Sequence, residues 1–372
     1  MIGLFILHRI LQRWNQTGQK FAGSPDIVTD VLYHHPVWMW SLVIFTYATV
    51  SLQIGYSLAK YLNLGYIIGT VGALSVVVPS FVLKLAFVAS DAPELLYLLQ
   101  GEEVEVLQKL PMVHIARGIF FGLTAFTLLA VIETFSPSKG SQSKRKGNSP
   151  ILTLTVTQSL TSSGILHTLQ SLTTLLLITQ TRTHNIPLYL LFVLQHKYLY
   201  NLRLTKTQIT LNTLILGHAS FFALGNSNAI SSIDLSNGYN GVSGYNVAAV
   251  GILVFVSNWA GPIFWSLSGI VLLTDRSGKP VTIDPKSSKK TEEQEKEEKE
   301  SPFFNHFALH TFFIAGSTLA MMVACTMLRT HLFIWTVFSP KYLYTMAWSL
   351  GYHFVVTLAL GGGIWSLSKR ID

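Results

Sequence analysis

His306 and His310 stand four residues apart, the spacing that places two imidazoles on one helical face as zinc ligands. Asp30, His34 and His35 offer a similar arrangement near the N-terminus. Neither group has the third and fourth ligands nearby that a zinc site needs, so both read as satisfied or interfacial histidines. No Ser-His-Asp order and no nucleophile elbow is visible, and no soluble stretch is long enough to hold one. Lys84 lies within an apolar run, where a cation at a helix centre costs about 2.5–3.5 kcal/mol on the insertion scale. It falls near the end of that run, so snorkelling to the interface is the expected solution. "GGGIW" at 361–365 reads as close helix packing and not as a phosphate loop, because no strand precedes it.

Two polar patches hold more potential. "GNSNAISSIDLSNGYNGVSGYN" (225–246) has five Asn, five Ser, four Gly and a lone acid, Asp234, and it separates two apolar runs. Asn, Ser and Gly build turns that bond their own backbone, which explains the composition without any function. "LRTHLFIWTVFSPKYLY" (328–344) sets Arg329, His331 and Lys341 among Phe333, Trp335, Phe338 and Tyr342. Such residues at a span boundary serve as interface anchors, and Arg329 and Lys341 also suit a lipid phosphate. A third polar stretch is the apolar run 151–181, which carries nine Thr, four Ser, three Gln and His167. It reads as a helix buried among others or one lining a polar headgroup cavity.

The elements that must hold these residues are membrane spans. Only 12% of the 372 residues are charged, against roughly 25% in soluble proteins. The mean hydropathy is +0.43. The fold class is therefore all-α, a polytopic transmembrane helix bundle of about nine spans: 37–59, 64–90, 112–133, 151–181, 186–202, 209–225, 246–274, 307–328 and 343–367. Domain organisation follows: a lumenal or interfacial stub (1–36), a membrane bundle (37–274), a charged cytoplasmic loop (275–301), and a last pair of spans with a short tail (302–372). The loop 136–150 carries four basic residues and no acid, which makes it cytoplasmic. Alternation from there assigns 17 of the 26 Lys and Arg to the cytoplasm and eight to the other side. It makes 91–109, 225–246 and 328–344 lumenal. The net charge of +8 sits in short loops and does not indicate nucleic acid. Cys325, the one cysteine, reads as a small core residue.

"FFALGNSNAISSIDLSNGYNGV" (221–242), "SNWAGPIFWS" (257–266) and "LRTHLFIWTVFSPKYLY" (328–344), in that order, resemble the C-terminal membrane region of the GPI ethanolamine phosphate transferases. Within that family they look most like the fungal enzyme acting on the second mannose. The resemblance implies a multi-pass protein of the endoplasmic reticulum membrane that moves phosphoethanolamine from phosphatidylethanolamine to a GPI lipid intermediate. It also implies a small multispanning stabilising subunit of the PIG-F type. In the family the chemistry belongs to a lumenal domain similar to alkaline phosphatases, with metal-bound Asp and His residues and a Thr nucleophile. No such set is found here. The expectation is a chain that lacks that domain, carries no catalytic residue or cofactor of its own and is inactive alone, a divalent metal such as zinc belonging to the absent part.

The candidates for binding substrate or partner are Asn226, Asn228, Asp234, Asn237, Tyr239, Asn240, Trp259, Arg329, His331, Trp335 and Lys341. Two rival readings differ in class. One is a non-catalytic assembly module. The other is a lipid transporter or flippase using the Thr-rich run as its path, which would need more intramembrane charges or broken helices than Lys84 and Pro79 supply.

Overall fold

The computed structural model describes residues 2–20, 34–62, 64–96, 99, 101–135, 150–202, 204–227, 232–277, 302–331 and 339–371. All regular structure among them is helical. The α-helices are α1 Ile2–Lys20, α2 Pro36–Tyr61, α3 Tyr66–Asp91, α4 Gly101–Gln108, α5 Met112–Phe135, α6 Pro150–Thr179, α7 Leu188–Asn201, α8 Lys206–Ala223, α9 Val247–Asn258, α10 Ala260–Ser277, α11 Pro302–Met327, α12 Ser339–Met346 and α13 Gly362–Ile371. A π-helix, Ala347–Gly361, joins the last two.

Each of the nine expected runs is met by a helix, but not every helix spans by itself. Among the described residues five are long and apolar enough to cross a membrane, and six if the broken pair Val247–Asn258 and Ala260–Asp275 is one span. The other expected runs fall below that threshold among the described residues. α7 has 14 residues, fewer than the roughly 20 a crossing needs, α8 carries Lys, Thr, Gln and Asn among its 18 residues, and the described apolar part of α6, Gly164–Thr179, is short of 18 residues.

The chain divides into two compact units. One comprises 13–193, 234–260 and 367–372, and α2, α3, α5 and α6 form its core. α2 and α3 meet along small residues. A Cβ on Gly69 would lie 2.7 Å from the Gly55 carbonyl oxygen and 2.8 Å from the Ala59 amide nitrogen. Gly55 and Ala59 on α2, with Gly69 and Ala73 on α3, make the small-xxx-small seam of membrane helices. Since the obstructing atoms are backbone, Gly69→Val forces the helices apart. It is expected to cost about 1–3 kcal/mol, visible as a lowered melting midpoint in detergent micelles.

Across this core run Tyr47, Ser80 and Thr179. The Tyr47 hydroxyl lies 3.3 Å from Ser80 Oγ, which lies 2.7 Å from Thr179 Oγ1. The other polar side chains of α6 mostly bond their own helix: Thr168 donates to Gly164 O, Thr174 to Gln170 O and Thr179 to Leu175 O. Thr168, Thr174 and Thr179 are buried. The described part of α6 is thus the buried helix of the two alternatives, and its hydroxyls are engaged where a transport path would need them free.

The second unit comprises 1–12, 194–233 and 261–366. α8 starts with a capping box, Thr205 accepting from the Gln208 amide and Gln208 from the Thr205 amide. His218 stacks on Trp348 at 4.2 Å, and Phe221 meets the same indole at 5.2 Å. His306 shares a hydrogen bond with Thr210 at 3.0 Å. Among the described residues no group of three or more His, Cys, Asp or Glu is placed to hold a metal ion. Of the glycines 361–363 only the first is tight: a Cβ there would meet Ile270 at 3.2 Å, whereas Gly362 and Gly363 face open space. The close-packing expectation holds for one glycine of three.

Candidate functional site: a polar cluster and cavity at the helix ends

In the first unit the polar segment folds onto the ends of α3 and α6. Asp234 is its hub. Its Oδ1 accepts from the Ser236 amide at 3.0 Å and the Ser236 hydroxyl at 2.6 Å, an Asx turn. Its Oδ2 accepts from Arg182 Nε at 3.1 Å. Its backbone is tied as well: the Asp234 amide donates to Asn258 Oδ1 at 2.9 Å, and Asn258 Nδ2 donates back to the Asp234 carbonyl at 3.0 Å. Asn240 Nδ2 reaches Gln180 Oε1 at 3.3 Å and Asn237 Oδ1 at 3.4 Å. Arg117, on α5, holds the far end of the segment by donating to Gly241 O at 2.7 Å and Ser243 Oγ at 3.0 Å. Gly241 has φ +78°, a left-handed turn that glycine adopts without strain.

Lys84 differs from its expectation. It does not snorkel: it is 2% exposed, and its Nζ donates to Asn237 Oδ1 at 2.9 Å. The Phe87 ring lies 5.6 Å away, in cation–π range. Snorkelling yields because the polar segment brings a partner to the ammonium inside the unit.

Beside the cluster opens a cavity of about 310 Å³, lined by Lys84, Asp91, Arg182, His184, Ser236 and Asn237 on its polar side and by Met39, Phe87 and Leu95 among its apolar residues. The start of α2, the end of α3, the end of α6 and the segment after 234 all contribute. The Trp40 indole, donating to Leu95 O at 2.9 Å, fixes one wall.

Two titrating groups here lie outside the long helices, His184 in the 3-10 turn Thr183–Asn185 and Asp234 in the polar segment. Burial and then Arg182 push the His184 imidazole down to about 4, outweighing the pull of Asp234, so it is neutral near pH 7. Burial raises the Asp234 carboxyl, but the Ser236 hydrogen bonds and Arg182 together hold it below its ordinary value. Both folded values lie below the unfolded ones, so the unfolded chain binds more protons and stability rises with pH. The His184 contribution is lost as pH falls from 6.5 toward about 4, and that of Asp234 below 3.8. The melting midpoint in detergent is expected to fall across the first window, and His184→Gln to flatten that fall.

The structure brings together Asp234, Asn237 and Asn240 of the sequence candidates. Tyr239 is exposed on the same segment, and Trp259 is buried, stacked on Phe255 at 4.9 Å. Asn226 is buried in the other unit, where Arg329 and His331 are exposed and Lys341 is half-buried. Asn228 and Trp335 lie outside the described residues. Missed by the sequence reading were Arg182, His184, Asp91, Asn258 and Gln180. One signal was present: a lone Arg and a lone Asp in two short loops assigned to one side are natural partners.

A family model described as the GPI ethanolamine phosphate transferase membrane region matches residues 1–370. The chain is 34% identical over 348 residues to "GPI ethanolamine phosphate transferase 2" of Aspergillus fumigatus, covering 93% of this chain and 34% of that protein. To the protein of the same name from Candida albicans it is 31% identical, covering 96% of the chain and 42% of the relative. For that of Saccharomyces cerevisiae the figures are 30%, 92% and 38%. The chain thus spans about a third to two fifths of the length of these relatives. No solved structure matches. With a match that runs from its first residue to within two of its last, the chain belongs to the GPI ethanolamine phosphate transferase membrane-region family.

Proposed function

We propose that the chain is the membrane part of an enzyme that moves phosphoethanolamine from phosphatidylethanolamine to the second mannose of the GPI-anchor precursor in the endoplasmic reticulum. The family match over residues 1–370 carries this reading. The name shared by the fungal relatives supports the transferase class. Phosphoryl transfer, with its metal such as zinc, belongs to a part of the enzyme other than this segment. The segment's task is to hold the lipid substrates near that chemistry, which raises their effective concentration, and to dock a subunit of the PIG-F type. In this reading the helices make about nine crossings and the Asp234 cluster faces the lumen.

The test is a chimera. The corresponding segment of the Saccharomyces cerevisiae relative is replaced by this chain, and transfer to the second mannose is measured in cells lacking the native enzyme. Restored transfer is expected, with lower transfer when Asn226, Asp234, Asn240 or Arg329 is replaced by Ala. Normal transfer and abundance in all four variants would end the substrate-holding role. One observation favours a second reading, an assembly module: Asp234, Asn237 and Asn240 largely bond one another and their neighbours. Co-purification of the stabilising subunit separates the two. Its loss in the variants supports assembly, and its retention with lowered transfer supports substrate handling.

A further inference from the structure

The end of the first unit farthest from the cavity holds a cation in a fixed place. Lys60 lies 21 residues after Met39 on α2, and Tyr66 lies 18 residues before Lys84 on α3. Met39 and Lys84 line the cavity. At 1.5 Å per residue the separations are about 32 and 27 Å, close to the roughly 30 Å of a hydrocarbon layer, so the two ends belong to opposite leaflets. Lys60 is exposed and open to lipid. Its Nζ donates to the Tyr56 hydroxyl at 2.7 Å and lies 5.3 Å from the centre of the Tyr61 ring, within cation–π range. The Tyr61 ring is itself seated: it stacks on His167 of α6 at 6.4 Å, and a Cβ on Gly164 would run into it. A flexible lysine stem is thereby held at the end of a span.

Donors predominate here. An ammonium has three N–H groups, and Tyr56 takes one. Tyr56 receives that bond on its oxygen, so its own O–H is left to donate, and a hydroxyl that accepts from a cation donates more strongly. Tyr66 is 72% exposed and near enough to act on the Lys60 charge, and it adds a second hydroxyl. Among the described side chains of α2, α3, α5 and α6 the only acid is Asp91, at the far end of α3. A positive charge with spare N–H and O–H groups suits the phosphate of a lipid. With no carboxylate beside it, it suits a headgroup that carries no cation of its own, because an amine or choline would meet Lys60 and nothing to offset it.

We propose that Lys60 and the hydroxyls of Tyr56 and Tyr66 bind the phosphate of a net-anionic phospholipid in the leaflet opposite to the Asp234 cluster. Binding is non-covalent. The lipid sits a full bilayer core away from the cavity and takes no part in group transfer, so the inference does not rest on the transferase reading. Bound there, it ties the end of α2 to the start of α3. Its acyl chains have apolar surface to follow at Ile67 and Ile68, both exposed on α3.

The experiment offers the purified chain in detergent micelles dioleoyl phosphatidate, dioleoyl phosphatidylglycerol and dioleoyl phosphatidylcholine at equal concentration and reads retained lipid by native mass spectrometry. The two anionic lipids are expected to be retained roughly tenfold more than the choline lipid, a difference of about 1.4 kcal/mol. Lys60→Gln removes that excess. Lys60→Arg keeps most of it, which separates loss of the cation from loss of the fold. Tyr56→Phe keeps the ring without the hydroxyl and lowers the excess about threefold, the share of one hydrogen bond. Lys197→Gln removes another exposed lysine, in the second unit, and leaves the excess unchanged. Equal retention of the three lipids by the wild type, or an unchanged excess in Lys60→Gln or in Tyr56→Phe, overturns the proposal. So does an equal loss in Lys197→Gln, because it shows diffuse attraction to net charge. Inorganic phosphate added in excess is expected to leave the lipid in place. Displacement by it makes the free anion the ligand and overturns the lipid.

Discussion

Asp234→Ala is expected to destabilise its unit by about 2–4 kcal/mol. The change removes the acceptor of the Ser236 amide and hydroxyl, the partner of Arg182, and the counter-charge nearest to the buried ammonium of Lys84. Removing one partner of a fully buried pair costs about 3–5 kcal/mol. Arg182 is half exposed, which lowers that figure because water takes over part of the lost interaction. Asp234→Asn keeps an acceptor for Ser236 and loses only the charge, so its cost is expected to be about half. Thermal unfolding in micelles checks the midpoints, and hydrogen exchange at residues 234–241 checks that the loss is local. A wild-type midpoint in Asp234→Ala would mean that the segment is not held through this carboxylate.

Lys84→Glu is expected to be the most damaging single change at the site, about 3–5 kcal/mol, because it buries a carboxylate in place of the ammonium that answers Asp234. The new group would face the Asn237 carbonyl oxygen, an acceptor against an acceptor, with Asp234 close by. Lys84→Met is expected to behave oppositely, neutral or stabilising by about 1 kcal/mol, since an apolar chain of similar length avoids the cost of burying an ammonium. Asn237 Oδ1 keeps Asn240 Nδ2 as a donor at 3.4 Å. The pair separates charge from shape, and abundance in membranes with melting midpoint measures both. A strong loss in Lys84→Met would mean that the ammonium holds the fold together.

Helix positions were legible because apolar runs near 20 residues dominate this chain. Which helices span was less so, since the composition of α6 does not say whether its hydroxyls face lipid, a cavity or their own backbone. The pairing of Arg182 with Asp234 is a meeting of two lone charges from short stretches between apolar runs. Lys84 was misread because hydropathy places a cation by depth, whereas its fate depends on Asn237, 153 residues away in sequence. Asn258 was illegible for a similar reason. As the last residue of an apolar helix it resembles a terminus, and its partner is the backbone of a distant residue. The π-helix at Ala347–Gly361 has no local signature, because its apolar composition suits an α-helix equally well.

The two bonds between Asn258 and the Asp234 backbone have a mechanical consequence. α9 has 12 residues, about 18 Å of rise, well short of the roughly 30 Å of a hydrocarbon layer. The polar segment runs back along it: a Cβ on Gly238 would touch Val254 at 2.7 Å and Val250 at 3.6 Å. Val247 and Ile252 stay exposed on the helix. Helix and segment are therefore tied together, with an apolar outer flank at Val247 and Ile252. A change at Asn258 frees the backbone of Asp234 together with the end of the helix, and with it the carboxylate that anchors Arg182.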